Sequence, residues 1–269
     1  ADAVVMVEYT ERSDGDVIVK RPVHPKANIA LRGEDIGKGE ITLEMGDLLT
    51  PSKVGVLAAL GKRSVKVYAK PQVAIIPTGK EIREPGTKLE EGQIYDVNSY
   101  TLISIVSMNG GVATKFEIVP DTLKDLKKAI ERGLDYDVIV FSGGSSVGER
   151  DLLYGVVKEL GTILFHGVQI KPGKPTLFAT VGGRPVFGMP GYPTSCLSNA
   201  YLFLVPALRK MARLPERSER RVKARLAQRI VSASGRKQFL PVKLRGGLAY
   251  PVFKESGDIT SMAGADGYL

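Results

Sequence analysis

Strand-like and helix-like segments alternate along the middle of the chain, from about residue 71 to residue 213. The apolar runs "QVAIIPT" and "DYDVIVF" have the composition of buried strands, whereas "NSYTLISIVSMNG" and "DTLKDLKKAIERG" have that of helices. A helix between two strands is the usual crossover of a parallel sheet, which helices then cover on both faces. The alternation therefore predicts a doubly wound α/β domain with a mostly parallel sheet.

The segments on either side of this region are β-rich. Short alternating stretches such as "DVIVKRPV" and "GEITLEMGDLL" precede it, followed by the helix-like "PSKVGVLAALG". After it, "LRGGLAYPVF" predicts a Gly-Gly hairpin. We predict three domains: an incomplete β-rich domain at 1–70, the α/β domain at 71–213, and an incomplete C-terminal β domain at 214–269. The chain has no initiator Met or signal peptide, so we interpret it as a piece of a longer polypeptide.

Charge and cysteine content restrict the partners and the compartment. A net charge of +9 favours anionic partners, but there is no Trp and the basic residues are scattered, apart from "PERSERRVKARLAQR". We interpret that stretch as a solvated strand or connection, so small anions fit better than nucleic acid. The single cysteine, Cys196, suits a reducing cytosol, and no apolar stretch is long enough to span a bilayer. We predict a cytoplasmic protein without nucleic-acid or membrane partners.

The loop "SGGSSVGERD", residues 142–151, stands between a predicted strand and the helix-like "LLYGVVKEL". Glycines let backbone amides approach a ligand, and amides at a helix N-terminus bind phosphate. Gly and Ser also serve simply to turn a chain, and no dinucleotide or Walker-type fingerprint is present. A phosphate or oxyanion site and a plain turn both remain open at this point.

Three carboxylates follow predicted strands: Glu81, Asp121 and Asp151. Ligands of doubly wound sheets bind beyond the carboxyl ends of the strands, so these side chains are expected at one edge. One or two carboxylates together with substrate phosphates commonly hold Mg²⁺. The alternative is that Asp121 and Asp151 cap the helices that follow them.

Two further stretches carry groups that suit an anion. "QIKPGKPTLF" holds Lys171 and Lys174 around a Pro-Gly pair too stiff for a helix, so both ammonium groups can face one anion; the alternative is solvated surface. In "GMPGYPTS" we predict a tight turn from Gly188 to Tyr192, with Pro193 at the first helical position. Ser195 is predicted in the first turn, where amides and a hydroxyl can meet an oxyanion. The apolar helix after it is predicted to be core.

Several motifs in the same order resemble the MoeA family of molybdopterin molybdenumtransferases, which includes the E domain of gephyrin. They are "PTGKE", "DVNS", "SGGSSVGERD", "IKPGKP" and "GMPGYPTS", joined by "ADAVVMVEYTE", "LRGEDIGKGE" and "SGDITSMAGADGYL". The resemblance implies a MogA-like α/β domain, an elongated β-rich domain completed by a missing N-terminal part, and a homodimer whose cleft lies between one subunit's α/β domain and its partner's arm. It also implies Mg²⁺-dependent insertion of molybdate or tungstate into adenylylated molybdopterin, with release of AMP.

The resemblance also assigns site residues. Glu81, Asp121 and Asp151 match acids around the metal and the pyrophosphate, with Glu81 and Asp151 as metal ligands, and Asp35 matches another functional acid. The oxyanion-binding positions are Lys171, Lys174, Ser195 and Ser256. The remaining substrate-binding positions are Thr78, Gly79, Ser142, Gly143, Gly144, Ser145, Gly148, Pro175 and Gly191.

Three residues depart from the family pattern. Lys80 replaces an Asp, Tyr192 replaces an Asn, and Pro241 stands where an Arg is expected. The departures leave open whether the oxyanion is molybdate or tungstate. They also leave two alternatives: a scaffold that binds pterin without turnover, and an adenylyltransferase of the MogA type. The flanking β-rich segments argue against the second, because MogA-type proteins have a single domain.

Overall fold

The computed structural model describes residues 2–143, 151–218, 220–232, 234–252, 254–255 and 257–269. The chain divides into two compact units, Ala1–Val65 and Lys66–Leu269. Among the described residues, no helix has both the length and the apolar composition needed to cross a membrane.

The first unit contains a hairpin and one helix. Strands β1 (Thr10–Ser13) and β2 (Asp16–Val19) pair antiparallel, and the turn between them places Asp14 and Gly15 at positive φ, as short hairpin turns require. Helix α1 (Pro51–Ala59) begins after Thr50, whose hydroxyl accepts a hydrogen bond from the Lys53 amide.

The stretch "GEITLEMGDLL", predicted to be strand-like, forms turns instead of a strand. The Asp47 carboxylate accepts a hydrogen bond from the Glu44 amide at 2.9 Å and forms an ion pair with Lys53 at 2.8 Å. A short polar side chain that bonds to nearby backbone offers the chain a turn in place of a sheet ladder. This local competition explains why the alternating pattern did not produce a strand.

The second unit combines helices and strands in the predicted alternation. Its described helices are α2 (Asn98–Met108), α3 (Leu123–Gly133), α4 (Leu152–Leu160), α5 (Pro193–Asn199), α6 (Val205–Met211) and α7 (Thr260–Ala263), with a π-helical turn (Ala200–Leu204) between α5 and α6. Its described strands are β3 (Gln72–Pro77), β4 (Ile82–Arg83), β5 (Ile94–Tyr95), β6 (Val112–Lys115), β7 (Val138–Ser142), β8 (Gly161–His166), β9 (Ile170–Lys171), β10 (Leu177–Val181), β11 (Arg184–Met189), β12 (Arg225–Leu226), β13 (Lys237–Gln238), β14 (Pro241–Arg245), β15 (Leu248–Pro251) and β16 (Gly267–Tyr268).

A six-stranded sheet with the order β6-β3-β7-β11-β10-β8 forms the centre of this unit. Neighbours from β6 to β11 pair parallel, whereas β10 pairs antiparallel with both β11 and β8. The predicted mostly parallel sheet is confirmed. Successive residues of β3 enter different cores, since Ala74 and Ile76 pack with α3 and α4 while Val73 and Ile75 pack with α2, α5 and α6. Burial on both faces explains the unbroken apolar runs.

The connections create a topological switch point between β3 and β7. From β3 the chain crosses through α2 to β6 on one side of β3, then returns through α3 on the opposite face to β7 on its other side. Loops that leave such neighbouring strands in different directions open a crevice, which is where ligands of these sheets bind. The loops after β3 and β7 are therefore the first place to look for a site.

The C-terminal strands form a four-stranded sheet with the order β12-β15-β14-β16. Gly246 and Gly247 have φ values of 54° and 78° at the turn between β14 and β15, which confirms the predicted Gly-Gly hairpin. Strand β13 instead pairs with β9, and the Phe239 amide donates to the Lys171 carbonyl at 2.8 Å. The C-terminal region thus supports the loop that carries Lys171.

Candidate functional site

The loops after β3, β7 and β11 meet at the carboxyl edge of the parallel strands. The Thr78 amide donates to the Ser142 carbonyl at 2.9 Å, and the Gly143 amide donates to the Met189 carbonyl at 3.3 Å. A Cβ on Gly191 would lie 3.8 Å from the Gly143 Cα. Four of the predicted substrate-binding residues, Thr78, Ser142, Gly143 and Gly191, are therefore neighbours in the fold.

Two of the predicted glycines occupy positions that exclude a side chain. Gly143 has a φ of +90°, and a Cβ there would lie 2.4 Å from the Thr78 carbonyl oxygen. Gly79 has a φ of +145°, and its Cβ would lie 2.7 Å from a side-chain carbon of Ile82. At both positions the φ value and the short distance to a neighbouring atom are compatible only with glycine. The close approach of the loops after β3 and β7 thus depends on glycine.

Asp121, in the loop after β6, is a half-buried carboxyl in a charged environment. Burial raises its pKa, and nearby Glu81 raises it further. The Thr78 hydroxyl, which is close but outside hydrogen-bond geometry, and Lys80 both lower the pKa. The structure therefore brings Asp121 close to Glu81, as the sequence predicted. The alternative of a helix cap is wrong for Asp121, because the N-cap of α3 is Thr122, whose hydroxyl accepts from the Asp125 amide at 3.1 Å.

The raised pKa of Asp121 gives a pH-dependent prediction. A carboxyl whose pKa is higher in the folded than in the unfolded chain favours folding at low pH, and this contribution is lost as the pH rises through the folded pKa. An Asn at this position cannot ionise. The free energy of unfolding of Asp121→Asn minus that of the native chain should therefore be larger at pH 7 than at pH 3. Urea unfolding at both pH values measures this difference. Asp135→Asn, a change at an exposed carboxylate, is the matched control, and an equal pH effect in both variants would contradict the assignment.

Asp151 is buried at the start of α4. Its Oδ1 accepts a hydrogen bond from the Tyr154 amide at 2.9 Å, so Asp151 is the N-cap of that helix, as one alternative predicted. Its Oδ2 lies 3.1 Å from Nε2 of His166, the last residue of β8, and the Tyr154 ring stacks on the imidazole at 4.7 Å. Sequence reasoning missed His166, because a lone His in "LFHGVQ" carries no spacing signal that links it to a carboxylate fifteen residues earlier.

Capping α4 does not by itself exclude a second role for the Asp151 carboxylate. Within the described part of the chain, no group of three or more His, Cys, Asp and Glu side chains is arranged to hold a metal ion. Convergence of Glu81, Asp121 and Asp151 on one cation therefore stays a prediction.

Buried polar atoms without a hydrogen-bond partner are concentrated at this edge of the sheet. Six such side-chain atoms occur among the described residues: Thr78 Oγ1, Asp96 Oδ2, Asn98 Oδ1, Ser99 Oγ, Asp121 Oδ1 and Asn199 Oδ1. They belong to the loops after the parallel strands or to the helices that begin there. A buried oxygen without a partner costs free energy, so folds keep few of them away from functional sites. Their concentration here distinguishes this edge from the rest of the described structure.

The motif "DVNS" joins α2 to the site. Asp96 Oδ1 accepts from the Ser99 amide at 3.0 Å, and Oδ2 lies 3.6 Å from the Lys115 ammonium group. Asn98 donates through Nδ2 to the Gly191 carbonyl at 2.8 Å. Asn98 therefore ties the start of α2 to the loop after β11. An Asp three residues before a Ser at the start of a helix is a capping signal that the sequence already contained.

Lys171 is the last residue of β9, and Lys174 lies in the loop that joins β9 to β10. Lys171 is exposed and Lys174 is partly exposed. The Lys174 carbonyl accepts from the Val168 amide at 2.9 Å, which fixes the backbone beside the ammonium-bearing side chains. Pro175 follows Lys174 and precedes the buried Thr176.

The stretch "GMPGYPTS" folds largely as predicted. Pro193 occupies the first turn of α5, and Ser195 lies in the same turn with 4% of its surface exposed. The turn is shorter than predicted, because β11 continues through Gly188 to Met189. The helical segment that follows contributes Cys196, Ala200, Leu204 and Leu208 to the core, as expected, and burial raises the pKa of the Cys196 thiol far above its usual range.

Five further predicted positions fall in the first unit or outside the described residues. Asp35 is exposed in the first unit. The predicted residues Gly144, Ser145, Gly148 and Ser256 lie outside the described residues.

The three departures from the family pattern have different surroundings. Lys80 lines a cavity of about 440 Å³ together with Gly79, Arg83, Glu84 and Pro120, and its charge lowers the pKa of Asp121. Tyr192 is 66% exposed at the N-cap of α5. Pro241 begins β14 and pairs with Tyr268. Of the three, Lys80 is the one that changes the electrostatics of the carboxylate pair.

Family models match nearly all of the chain. "MoeA N-terminal region (domain I and II)" matches residues 1–61, "Probable molybdopterin binding domain" matches 74–210, and "MoeA C-terminal region (domain IV)" matches 223–269. The solved structure of a molybdopterin biosynthesis MoeA protein from Pyrococcus horikoshii is 41% identical, with a TM-score of 0.79, and the match covers 100% of this chain and 67% of that one.

Two curated relatives bear the name molybdopterin molybdenumtransferase. The protein of Staphylococcus aureus is 31% identical over 99% of this chain and 65% of its own length. The protein of Haemophilus influenzae is 36% identical over 78% of this chain and 52% of its own length. This chain thus spans roughly half to two thirds of these relatives. The matching family models, the shared fold and the meeting of the motif loops at one sheet edge show that the chain belongs to the MoeA family of molybdenum cofactor biosynthesis.

Proposed function

We propose that this chain performs the molybdenumtransferase reaction, in which molybdate or tungstate is inserted into adenylylated molybdopterin and AMP is released. The observation that carries the proposal is the meeting of the Gly143 loop with Thr78 beside the carboxylates Glu81 and Asp121 at the switch point of the sheet. This combination of a glycine-dependent loop and paired carboxylates suits a phosphoanhydride and a cation.

The substrate chemistry explains why these residue types are needed. Release of AMP breaks one P–O bond of the phosphoanhydride while the oxygen of a water molecule bonds to the pterin phosphate. Negative charge develops on the bridging oxygen, which leaves with AMP, and the water protons pass to the products or to solvent. Backbone amides of the loop after β7 are suited to bind the phosphates, and the lysines of the loop after β9 are suited to the oxyanion. The 440 Å³ cavity next to Gly79 and Lys80 offers space for part of the substrate.

Mg²⁺ fits the carboxylates of this edge. Asp121 has a buried oxygen without a hydrogen-bond partner, and its raised pKa reflects burial with Glu81 nearby, an environment that a cation relieves. Glu81 and Asp121 would hold the ion, with Asp151 as the further ligand that the family pattern suggests. The bound ion would neutralise phosphate charge. Added Mg²⁺ should therefore raise the melting temperature of the native chain more than that of Asp121→Asn.

The proposed partners follow the family pattern. Adenylylated molybdopterin and the metal oxyanion are the substrates, and a second copy of the subunit would complete the cleft. Sedimentation of the purified chain measures the dimer directly.

One assay tests the proposed reaction against its alternatives. The purified chain is incubated with adenylylated molybdopterin and Mg²⁺, with and without molybdate or tungstate, and AMP is measured. Release of AMP stimulated by the oxyanion supports the proposal, and comparison of the two oxyanions identifies the preferred metal. Formation of adenylylated molybdopterin from ATP would instead support a MogA-type reaction, and binding without either reaction would support a scaffold.

The lysines of the β9–β10 loop give a second test. Lys171→Ala and Lys174→Ala should each raise the molybdate concentration needed for half-maximal rate about tenfold, since each removes a charge-assisted hydrogen bond to the anion. Pterin binding, measured by calorimetry, should weaken much less. Lys128→Ala, at an exposed position on α3, is the control for loss of one positive charge. Equal weakening of both ligands would assign the two lysines to the pterin phosphate instead.

A further inference from the structure

Asn199 is a fully buried polar residue directly below the loop that carries the two lysines. It is the last residue of α5, and a π-helical turn begins at the next residue, Ala200. The surrounding helical residues, such as Cys196, Ala200 and Leu204, belong to the apolar core. A buried carboxamide in such surroundings must be hydrogen-bonded to be tolerated.

The carboxamide of Asn199 is bonded to the lysine loop at two points. Its Nδ2 donates to the Gly173 carbonyl at 2.8 Å and also donates to the Thr176 hydroxyl. The Thr176 hydroxyl in turn donates to the same Gly173 carbonyl at 3.0 Å. The amide group therefore donates to the Gly173 backbone on one side of Lys174 and to the Thr176 side chain on the other.

The backbone of Gly173 packs directly against this carboxamide. It has a φ of +100°, and a Cβ at this position would lie 2.4 Å from Asn199 Nδ2 and 2.6 Å from Oδ1. The glycine between the two lysines is therefore required by the contact with Asn199 as well as by its φ. Thr176, which completes the triangle of hydrogen bonds, is also fully buried.

From these contacts we infer that Asn199 is a positioning residue for the oxyanion site: it fixes the backbone between Lys171 and Thr176 so that the two lysines face one ligand. This inference rests on the proposed function for the identity of the ligand, but the hold on the loop does not depend on it. Such a residue does not touch the ligand. It changes the affinity by fixing the positions of the loop side chains that bind the ligand.

The chain has a natural control for a merely structural role. Ser198, the preceding residue in α5, is also buried, and its hydroxyl lies 3.1 Å from the Tyr268 hydroxyl in the C-terminal sheet. Ser198→Ala therefore removes a buried hydrogen bond from the same helix without touching the lysine loop.

Hydrogen exchange measures the hold on the loop without any activity. The Gly167, Val168 and Thr176 amides all donate to carbonyls within the segment 167–176. In Asn199→Leu these amides should exchange about tenfold faster, the change expected from the loss of one or two net hydrogen bonds, while the amides of α3 keep their rates. Ser198→Ala should leave the loop amides unchanged. Unchanged exchange at these amides, or faster exchange throughout the second unit, would overturn the inference.

Kinetics then test the link to the oxyanion. Asn199→Leu should raise the molybdate concentration for half-maximal AMP release about tenfold while the maximal rate falls much less. If the maximal rate falls and the molybdate requirement stays constant, the residue does not act on the oxyanion site. If the native chain releases no AMP, the proposed function fails, whereas the exchange experiment still decides whether Asn199 holds the loop.

A second variant guards against loss of folding. Thr176→Val removes the hydroxyl partner of Asn199 with little change in shape, and the double variant with Asn199→Leu completes a thermodynamic cycle. If Asn199 acts through this network, the two effects on loop exchange should be clearly less than additive. Additive effects would show that Asn199 and Thr176 act independently, and would overturn the inference.

Discussion

Replacing Gly143 by alanine is expected to lower the free energy of unfolding of the second unit by about 3 kcal/mol, the sum of backbone strain and overpacking. Gly143 has a φ of +90°, which disfavours any side chain, and the new Cβ would lie 2.4 Å from the Thr78 carbonyl oxygen. The Thr78 backbone cannot move away easily, because its amide donates to the Ser142 carbonyl within the same pair of loops. Urea unfolding of the two proteins measures the difference.

Gly86 provides a matched control for the backbone strain alone. Its φ is +92°, nearly that of Gly143, but a Cβ there would meet no atom within 4 Å. Gly86→Ala should therefore cost only about 1 kcal/mol, the conformational penalty of positive φ. If Gly143→Ala costs no more than Gly86→Ala, then the loops after β3 and β7 can separate freely and their close approach is not a structural requirement.

Gly143→Ala should also weaken ligand binding at a temperature where the variant remains folded. The substitution would push Gly143 away from Thr78, so the loops after β3 and β7 would separate at the predicted phosphate site. Calorimetry with AMP as the probe compares the native chain with Gly143→Ala and Gly86→Ala. Equal affinity for all three would place the phosphate site elsewhere.

The central sheet could be predicted from sequence because burial on both faces leaves a strong signal. "QVAIIP" and "VIVFS" are apolar at nearly every position, since alternate residues enter the two separate cores. The alternation with helices then fixes parallel pairing and the edge at which ligands bind. These constraints are local in sequence, and they placed Thr78, Gly143 and Gly191 at one edge.

Contacts between distant segments could not be predicted from local pattern. Asn199 lies in an apolar helix, and nothing near it in sequence indicates that its carboxamide bonds to Gly173, 26 residues earlier. His166 and Asp151 meet because α4 packs against the sheet next to β8, which depends on tertiary packing. Such pairs are decided by where elements pack, so only the folded structure reveals them.

Competition between alternatives of similar free energy also limited the sequence analysis. Asp121 and Thr122 are both good N-caps, and a choice between neighbours differs by little free energy. The hydroxyl of Thr122 took the cap of α3, which left the Asp121 carboxyl beside Thr78 and Glu81. The identity of the cap thus decides which side chain remains for the site.

Asp151→Asn is expected to lower the rate of AMP release at least about 100-fold while the fold is retained, a loss typical of removing a group that stabilises developing charge. The Asn side chain keeps an oxygen that can accept from the Tyr154 amide, and Asn is as good an N-cap as Asp, so α4 should stay intact. What is lost is the negative charge next to His166 and at the end of the phosphate loop. Single-turnover AMP release and the melting temperature together separate the two effects.

Thr50→Ala is the control that separates capping from chemistry. It removes the N-cap of α1, at a cost of about 1 kcal/mol, and leaves the carboxylates of the site unchanged. We expect Thr50→Ala to lower the melting temperature and to keep its turnover, and Asp151→Asn to show the opposite pattern. If a folded Asp151→Asn protein releases AMP at the native rate, the carboxylate serves only to cap α4. Holding the cation that neutralises the phosphate would then fall to Glu81 and Asp121, because their carboxyls are the pair that the fold holds together at this edge.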